Sequence, residues 1–220
     1  MSKKVFLKGT LVLACTGLIS RLAGFFYRIF LSHAIGAGGM GLYQLVLPLQ
    51  SLMAALSYAG IQSALSRLIA SQLALSRKKA ARFSLFLGIL TSVSLSAVAG
   101  FLLFRKAELF ASAVLKAPAA AGLLRMVSIT VPVCAIHSCI DSFYYARKKA
   151  SIPAAIQLTE QAVRIGGTYV LYLILLRENR PVTAFIAAGG SMAGEIAASL
   201  VSLLAITLHF GNCRFSRDDL

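Results

Sequence analysis

Seven charged side chains stand inside apolar stretches of this 220-residue chain: Arg21, Arg28, Arg125, Arg164, Asp141, Glu160 and Glu195. A charge at the centre of a hydrocarbon layer costs about 2.5–3.5 kcal/mol on insertion scales, so each needs a partner, water or a task. Arg21 lies thirteen residues beyond Lys8, about 20 Å along a helix, too deep to reach a membrane surface. Arg28 follows seven residues later on roughly the same helical face, near the far interface. Glu160 and Arg164 are spaced i, i+4 with the acid first, the favourable order for a helical ion pair. Arg164 is eleven residues past Pro153, about 16 Å deep, and Glu195 lies near the middle of its own stretch. Arg125 is close enough to a stretch end for snorkelling. Asp141 is about a turn from an end, within range of Arg147. Two chemistries fit this set. One is a group of salt bridges that holds helices together. The other is a polar, net-basic cavity, with Arg21, Arg28 and Arg164 as its substrate-binding groups and Glu160, Glu195, Asp141 and Arg125 as charge partners. Arginine matches the geometry of a phosphate or pyrophosphate.

The elements that would carry these charges are membrane helices. Hydrophobic residues make up 58% of the chain and charged residues 13%, against about 25% charged in a soluble domain; the mean hydropathy is +0.81. The apolar residues fall in six runs, roughly 9–32, 41–65, 83–104, 120–145, 153–176 and 182–209. Each is long enough to cross about 30 Å of hydrocarbon as a helix, and a backbone in lipid must satisfy its own hydrogen bonds. The expected fold is an all-α membrane protein, a six-helix bundle forming one transmembrane lobe over 1–220. The glycine-rich stretch 33–41 reads as a turn. Residues 66–82 read as a basic connection lying partly in the interface.

The net charge of +15 would raise the question of nucleic acid in a soluble protein. Here the bases cluster at the ends of apolar runs, which is a topological signal and an attraction to anionic lipid, so no nucleic-acid partner is expected. Alternate connections carry thirteen bases on one side and five on the other, which places both termini in the cytoplasm, with the chain in the cell membrane. The run after Lys4 is long, is interrupted by Arg21 and Arg28, and lacks a clear cleavage site, so a retained first helix is expected rather than a signal peptide.

Enzymatic signals are weak. Cys15, Cys134, Cys139 and Cys213 lack zinc spacing and read as free thiols. Gly36, Gly38, Gly39 and Gly41 follow no strand and precede no Lys-Ser/Thr, so they do not form a phosphate loop. Ala193 occupies the last position of what would otherwise be a G-x-S-x-G elbow at 189–193, and a His137–Ser191 protease pair has nothing else to support it. The small residues around Gly190 suit close helix packing instead. No metal, no cofactor and no enzymatic activity are expected.

Several blocks resemble a known family. Phe6-Leu7-Lys8-Gly9-Thr10 is followed by Ile19-Ser20-Arg21-Leu22-Ala23-Gly24-Phe25-Phe26-Tyr27-Arg28. Then come Ile35-Gly36, Gly41-Leu42-Tyr43, Ser142-Phe143-Tyr144, Pro153-Ala154-Ala155-Ile156-Gln157 and Glu160-Gln161-Ala162-Val163-Arg164. In this order they are similar to the polysaccharide-exporter family of the stage V sporulation protein B type. That family belongs to the multidrug/oligosaccharidyl-lipid/polysaccharide superfamily, whose members include lipid II flippases and MATE-like transporters. The resemblance implies two six-helix lobes around a central cavity that opens to each membrane face in turn, carrying polyprenyl-pyrophosphate-linked saccharides for cell-envelope or spore-cortex synthesis. Arg21 and Arg28 match the family's helix-1 arginine motif. The arginine–aspartate pair that follows Gly-Phe in lipid II flippases is not carried over, because Tyr27-Arg28 stands there. Six helices correspond to one lobe, so the expectation is an N-terminal half, with a separately encoded second lobe as partner. The alternatives are a drug or cation antiporter of the same superfamily and a non-transporting scaffold or remnant.

Overall fold

The computed structural model describes residues 3–215, with side chains described over 9–210. The described residues are almost entirely helical and contain no strand. The first helical element, Lys3–Ala54, leaves helical geometry at Gly36, where φ is 70° and ψ 175°. Such a φ is strained for any side chain but costs glycine little. We call the part before this break α1 (3–35) and the part after it α2 (37–74). α2 passes through a π-helical turn at Ala55–Ala59 and continues as Gly60–Ala74. Four further helices follow: α3 (Lys78–Arg105), α4 (Ala121–Ala146), α5 (Ser151–Arg177) and α6 (Phe185–Phe215). Short helical turns at Ala107–Leu109, Phe110–Val114 and Pro118–Ala120 link α3 to α4.

Four segments are long and apolar enough to cross a membrane: Gly9–Ala74, Lys78–Arg105, Pro118–Ala146 and Phe185–Phe210. The first has 66 residues, about three times what one crossing requires. Its two parts line a common cavity, with Gly17 to Leu31 on one wall and Met40 to Leu47 on the other, so the chain bends sharply at Gly36. α5 is long enough, but Gln157, Glu160, Gln161 and Arg164 make its first half too polar for the same criterion. The basic connection expected at 66–82 contracts to a tight turn. α2 stays helical to Ala74, and α3 starts at Lys78.

The solvation pattern is that of a membrane protein. Phe26, Phe83, Phe86, Phe101, Leu200 and Leu204 point outward, while Thr16, Ser92, Ser96, Ser142, Thr168 and Ser202 are buried. Without a hydrophobic drive between helices in lipid, association rests on close packing and polar contacts. α3 follows this rule. Ser84, Gly88, Ser92, Ser96 and Gly100 recur every four residues along its buried face. A Cβ on Gly100 would meet the Ser128 carbonyl of α4 at 2.6 Å. The Cys139 thiol lies 3.2 Å from Ser92 Oγ.

Two apolar clusters close the ends of the bundle. One gathers Leu31, Val46, Leu103, Leu123, Leu124 and Ala187. The other gathers Leu65, Ile69, Leu85, Ile140, Phe143, Tyr144 and Ile206. The charged residues of α5 and α6 lie between them in sequence along each helix.

Candidate functional site

A cavity of about 860 Å³ opens between α1, α2 and α5. On α1 its lining residues are Gly17, Ser20, Arg21, Gly24, Phe25, Tyr27, Arg28 and Leu31. Gly17, Ser20, Gly24, Tyr27 and Leu31 follow one another in alternating steps of three and four, with Arg21 and Arg28 seven apart beside them, which traces one helical face. Tyr43, Gln44 and Leu47 come from α2, and Gln157, Gln161 and Arg164 from α5. Arg21, Arg28 and Arg164 therefore share one space, and among the described residues its lining contains no carboxylate.

Hydrogen bonds between distant segments fix these walls. Thr168 donates to the Arg164 carbonyl at 2.8 Å, which spends its only proton. Tyr27 O–H therefore donates to Thr168 Oγ1, at 2.9 Å. Tyr43 and Ser191 hydroxyls lie 3.0 Å apart, tying α2 to α6.

Behind the cavity lies a second, largely buried group. Arg164 pairs with Glu160 one turn earlier on α5 and stands 3.5 Å from Glu195 of α6. His137 Nδ1 of α4 lies 3.8 Å from Glu195 Oε2. Cys134 also stands beside Glu195, and Tyr58, from the π-helical turn, stands beside Cys134. π-turns are frequent at functional sites, and this one carries Tyr58. His137, Glu160 and Glu195 bring potential ligand atoms within 4.8 Å of one another. The Arg164 guanidinium reaches both carboxylates, so in this structure the two acids belong to an ion-pair network. Arg164 belongs to both regions: it lines the cavity and neutralises the acids behind it.

Two expected partners lie elsewhere. Arg125 is outside the cavity and bonds to Glu108 at 2.6 Å, with both side chains well exposed. Exposed pairs contribute about 0–1 kcal/mol. Arg125→Ala is therefore expected to leave the melting temperature within about 2–4 °C of the parent, measured by circular dichroism in detergent. The suggested Asp141–Arg147 pair is absent. Arg147 bonds to His209 and lies over the Phe143 ring. The Asp141 Oδ1 is buried with no hydrogen-bond partner among the described residues. The imagined His137–Ser191 pairing also fails, because Ser191 meets Tyr43 while His137 lies 3.4 Å from Ser199.

Spacing did not single out Tyr27, Tyr43, Tyr58, His137 or Thr168 as site residues. Their partners lie on other helices, and no periodicity within one helix reports such a pairing. The positions of Tyr27, Tyr43, Gln157 and Gln161 inside the quoted blocks were the available signal. Cys15 is exposed, Cys134 and Cys139 are buried, and all three are free thiols. The side chain of Cys213 lies outside the described residues.

Comparison with known proteins places this arrangement. Residues 6–219 match the family described as polysaccharide biosynthesis protein. The chain is 30% identical over 210 residues to stage V sporulation protein B of Bacillus subtilis (strain 168), covering 96% of this chain and 40% of that protein. It is 30% identical over 173 residues to lipid II flippase MurJ of the same organism, covering 75% of this chain and 32% of that protein. The chain thus spans less than half the length of these curated relatives. The second relative is named for transport, not for a reaction. No solved structure gives a significant match. A family match over nearly the whole chain, carried by a multi-pass helical membrane fold, establishes that the chain belongs to the polysaccharide biosynthesis protein family.

Proposed function

We propose that the chain forms one lobe of a flippase for lipid-linked saccharide precursors, with the anionic pyrophosphate held by Arg21, Arg28 and Arg164. The convergence of these three arginines on one cavity carries the reading. A guanidinium presents a planar fork of donors suited to phosphate oxygens, and Tyr27, Tyr43, Gln157 and Gln161 supply neutral hydrogen-bonding groups around it. The chain's share of its longer relatives supports a second lobe facing this cavity. The two together would expose the site to each membrane face in turn. The excess of bases in alternate connections supports cytoplasmic termini; the outermost residues of both termini lie outside the described residues. A cavity lined by bases and no acid disfavours cationic drugs as cargo.

Binding tests the assignment without requiring the second lobe. The purified chain in detergent should bind undecaprenyl pyrophosphate well above uncharged undecaprenol. Arg21→Gln/Arg28→Gln should weaken that binding by at least about tenfold, because a hydrogen bond to a charged group contributes about 1.5–3 kcal/mol. Equal affinity for the two lipids would reject a pyrophosphate site. Headgroup translocation in liposomes, with the second lobe supplied, then tests transport itself.

A further inference from the structure

Away from the cavity, a groove of about 510 Å³ runs between α3 and α6. Lys79 and Arg82 form its rim; Phe83, Phe86, Ile89 and Phe210 are among its apolar wall residues, and no acid among the described residues lines it. The pattern along α3 is directional. The bases lie in the first two turns after Lys78, and the apolar residues continue toward the bundle centre, so Ile89 is about 10 Å below Arg82. The Arg82 guanidinium sits 4.3 Å over the Phe210 ring. A cation–π contact of this kind orients the charge without using up its hydrogen-bond donors. Phe83 and Phe86 are 66% and 65% exposed, so this wall faces the surrounding lipid. The same end of the bundle carries Arg77, Lys78, Arg147, Lys148 and Lys149 at the α2–α3 and α4–α5 connections.

We infer that this groove is a binding site for an anionic phospholipid, with its phosphate on Lys79 and Arg82 and one acyl chain lying along Phe83, Phe86 and Ile89. Charge complementarity selects the occupant. Two bases and no acid favour a headgroup with net negative charge over a zwitterionic one, whose ammonium would meet the same cations. A basic side chain at such a surface favours anionic lipid by about fivefold. The site is separate from the arginine cavity and does not depend on what that cavity carries.

The chain contains no tryptophan, so Phe86→Trp places the protein's single tryptophan in the groove, where it is excited selectively over the seven tyrosines. Leu95→Trp, midway along α3, away from both basic ends of the helix and 46% exposed in the parent, serves as the control. Each variant is reconstituted in phosphatidylcholine vesicles doped with acyl-brominated phosphatidylglycerol or acyl-brominated phosphatidylcholine. At low mole fraction, brominated phosphatidylglycerol should quench the indole of the Phe86→Trp variant at least about fivefold more effectively, while the Leu95→Trp control should show no preference. Adding Lys79→Ser/Arg82→Ser to the groove variant should abolish the preference. So should 0.5 M salt without those two substitutions, which keeps the test valid if the combined variant folds poorly. Equal quenching of the Phe86→Trp variant by both lipids would overturn the inference. A preference that survives both the loss of the two bases and high salt would also overturn it. So would displacement of brominated phosphatidylglycerol by trace undecaprenyl pyrophosphate, since the groove would then belong to the polyprenyl cargo.

Discussion

Arg164→Ala is expected to destabilise the chain by about 3–5 kcal/mol, the usual consequence of breaking a buried ion pair by removing one partner. For a protein of this size that corresponds to a fall in melting temperature of about 6–20 °C. The guanidinium serves two buried carboxylates at once, those of Glu160 and Glu195. Their side chains keep only 17% and 11% of their exposure, so water can replace the guanidinium only in part. Glu195 Oε2 already lacks a hydrogen-bond partner among the described residues, and removing Arg164 would strip the network of its guanidinium. The triple variant Arg164→Met/Glu160→Gln/Glu195→Gln separates this role from cargo binding. It removes the charges together and should recover most of the lost melting temperature, because a buried ionic group replaced as a unit is often neutral or stabilising. Undecaprenyl pyrophosphate binding should stay weak in the triple variant, since the cavity has still lost one of its three arginines. An unchanged melt in Arg164→Ala would show that the acids are neutralised by other means. Parental binding by the triple variant would remove Arg164 from the cargo site.

What could be read from the residues followed from depth and spacing. The seven-residue interval between Arg21 and Arg28 predicts one face of α1, and both residues line the cavity. The i, i+4 spacing of Glu160 and Arg164 predicts an ion pair, and the pair forms. The mid-span position of Glu195 predicts a need for a partner, and Arg164 meets it. Boundaries were harder. A run of four glycines marks the turn between α1 and α2, yet only Gly36 leaves helical geometry; Gly38, Gly39 and Gly41 continue as helix. Arg67 and the bases after it suggested an interfacial connection, but long basic side chains can extend from a helix end to the membrane surface. The helix therefore persists to Ala74. Local charge also misled at Asp141. Arg147 is near it in sequence, but His209 and Phe143 hold that guanidinium instead. The tyrosines illustrate the same limit. Tyr27 and Thr168 are 141 residues apart, and only the assembled bundle shows that they meet.

The contact that assembles this part of the bundle can be tested with a single methyl group. α6 crosses α5 at Gly190 and Gly194, a small-xxx-small spacing that lets two backbones approach closely in lipid. A Cβ built on Gly190 would lie 1.8 Å from Thr168 Oγ1 and 2.7 Å from the Arg164 carbonyl oxygen. On Gly194 it would lie 2.8 Å from the Glu160 carbonyl oxygen and 3.1 Å from Arg164 Cβ. In both cases the obstacle includes backbone, which no rotamer change can move aside. Gly190→Ala and Gly194→Ala should therefore push the helices apart, at a cost of about 1–3 kcal/mol or more for overpacking. The damage should extend beyond sterics. Thr168 is the partner of Tyr27, and Glu195 follows Gly194 directly, so separation of α5 from α6 loosens both a cavity wall and the ion-pair network. Gly166→Ala provides the contrast. It lies on the same α5, with nothing within 4 Å of the added carbon. In a helix that change should stabilise by about 0.5–1 kcal/mol. Opposite shifts in melting temperature are expected, down for Gly190→Ala and Gly194→Ala and up or flat for Gly166→Ala. Upward shifts in all three would mean that glycine acts here through helix propensity alone, and that Arg164 and Glu195 are held together by something other than the crossing of α5 and α6.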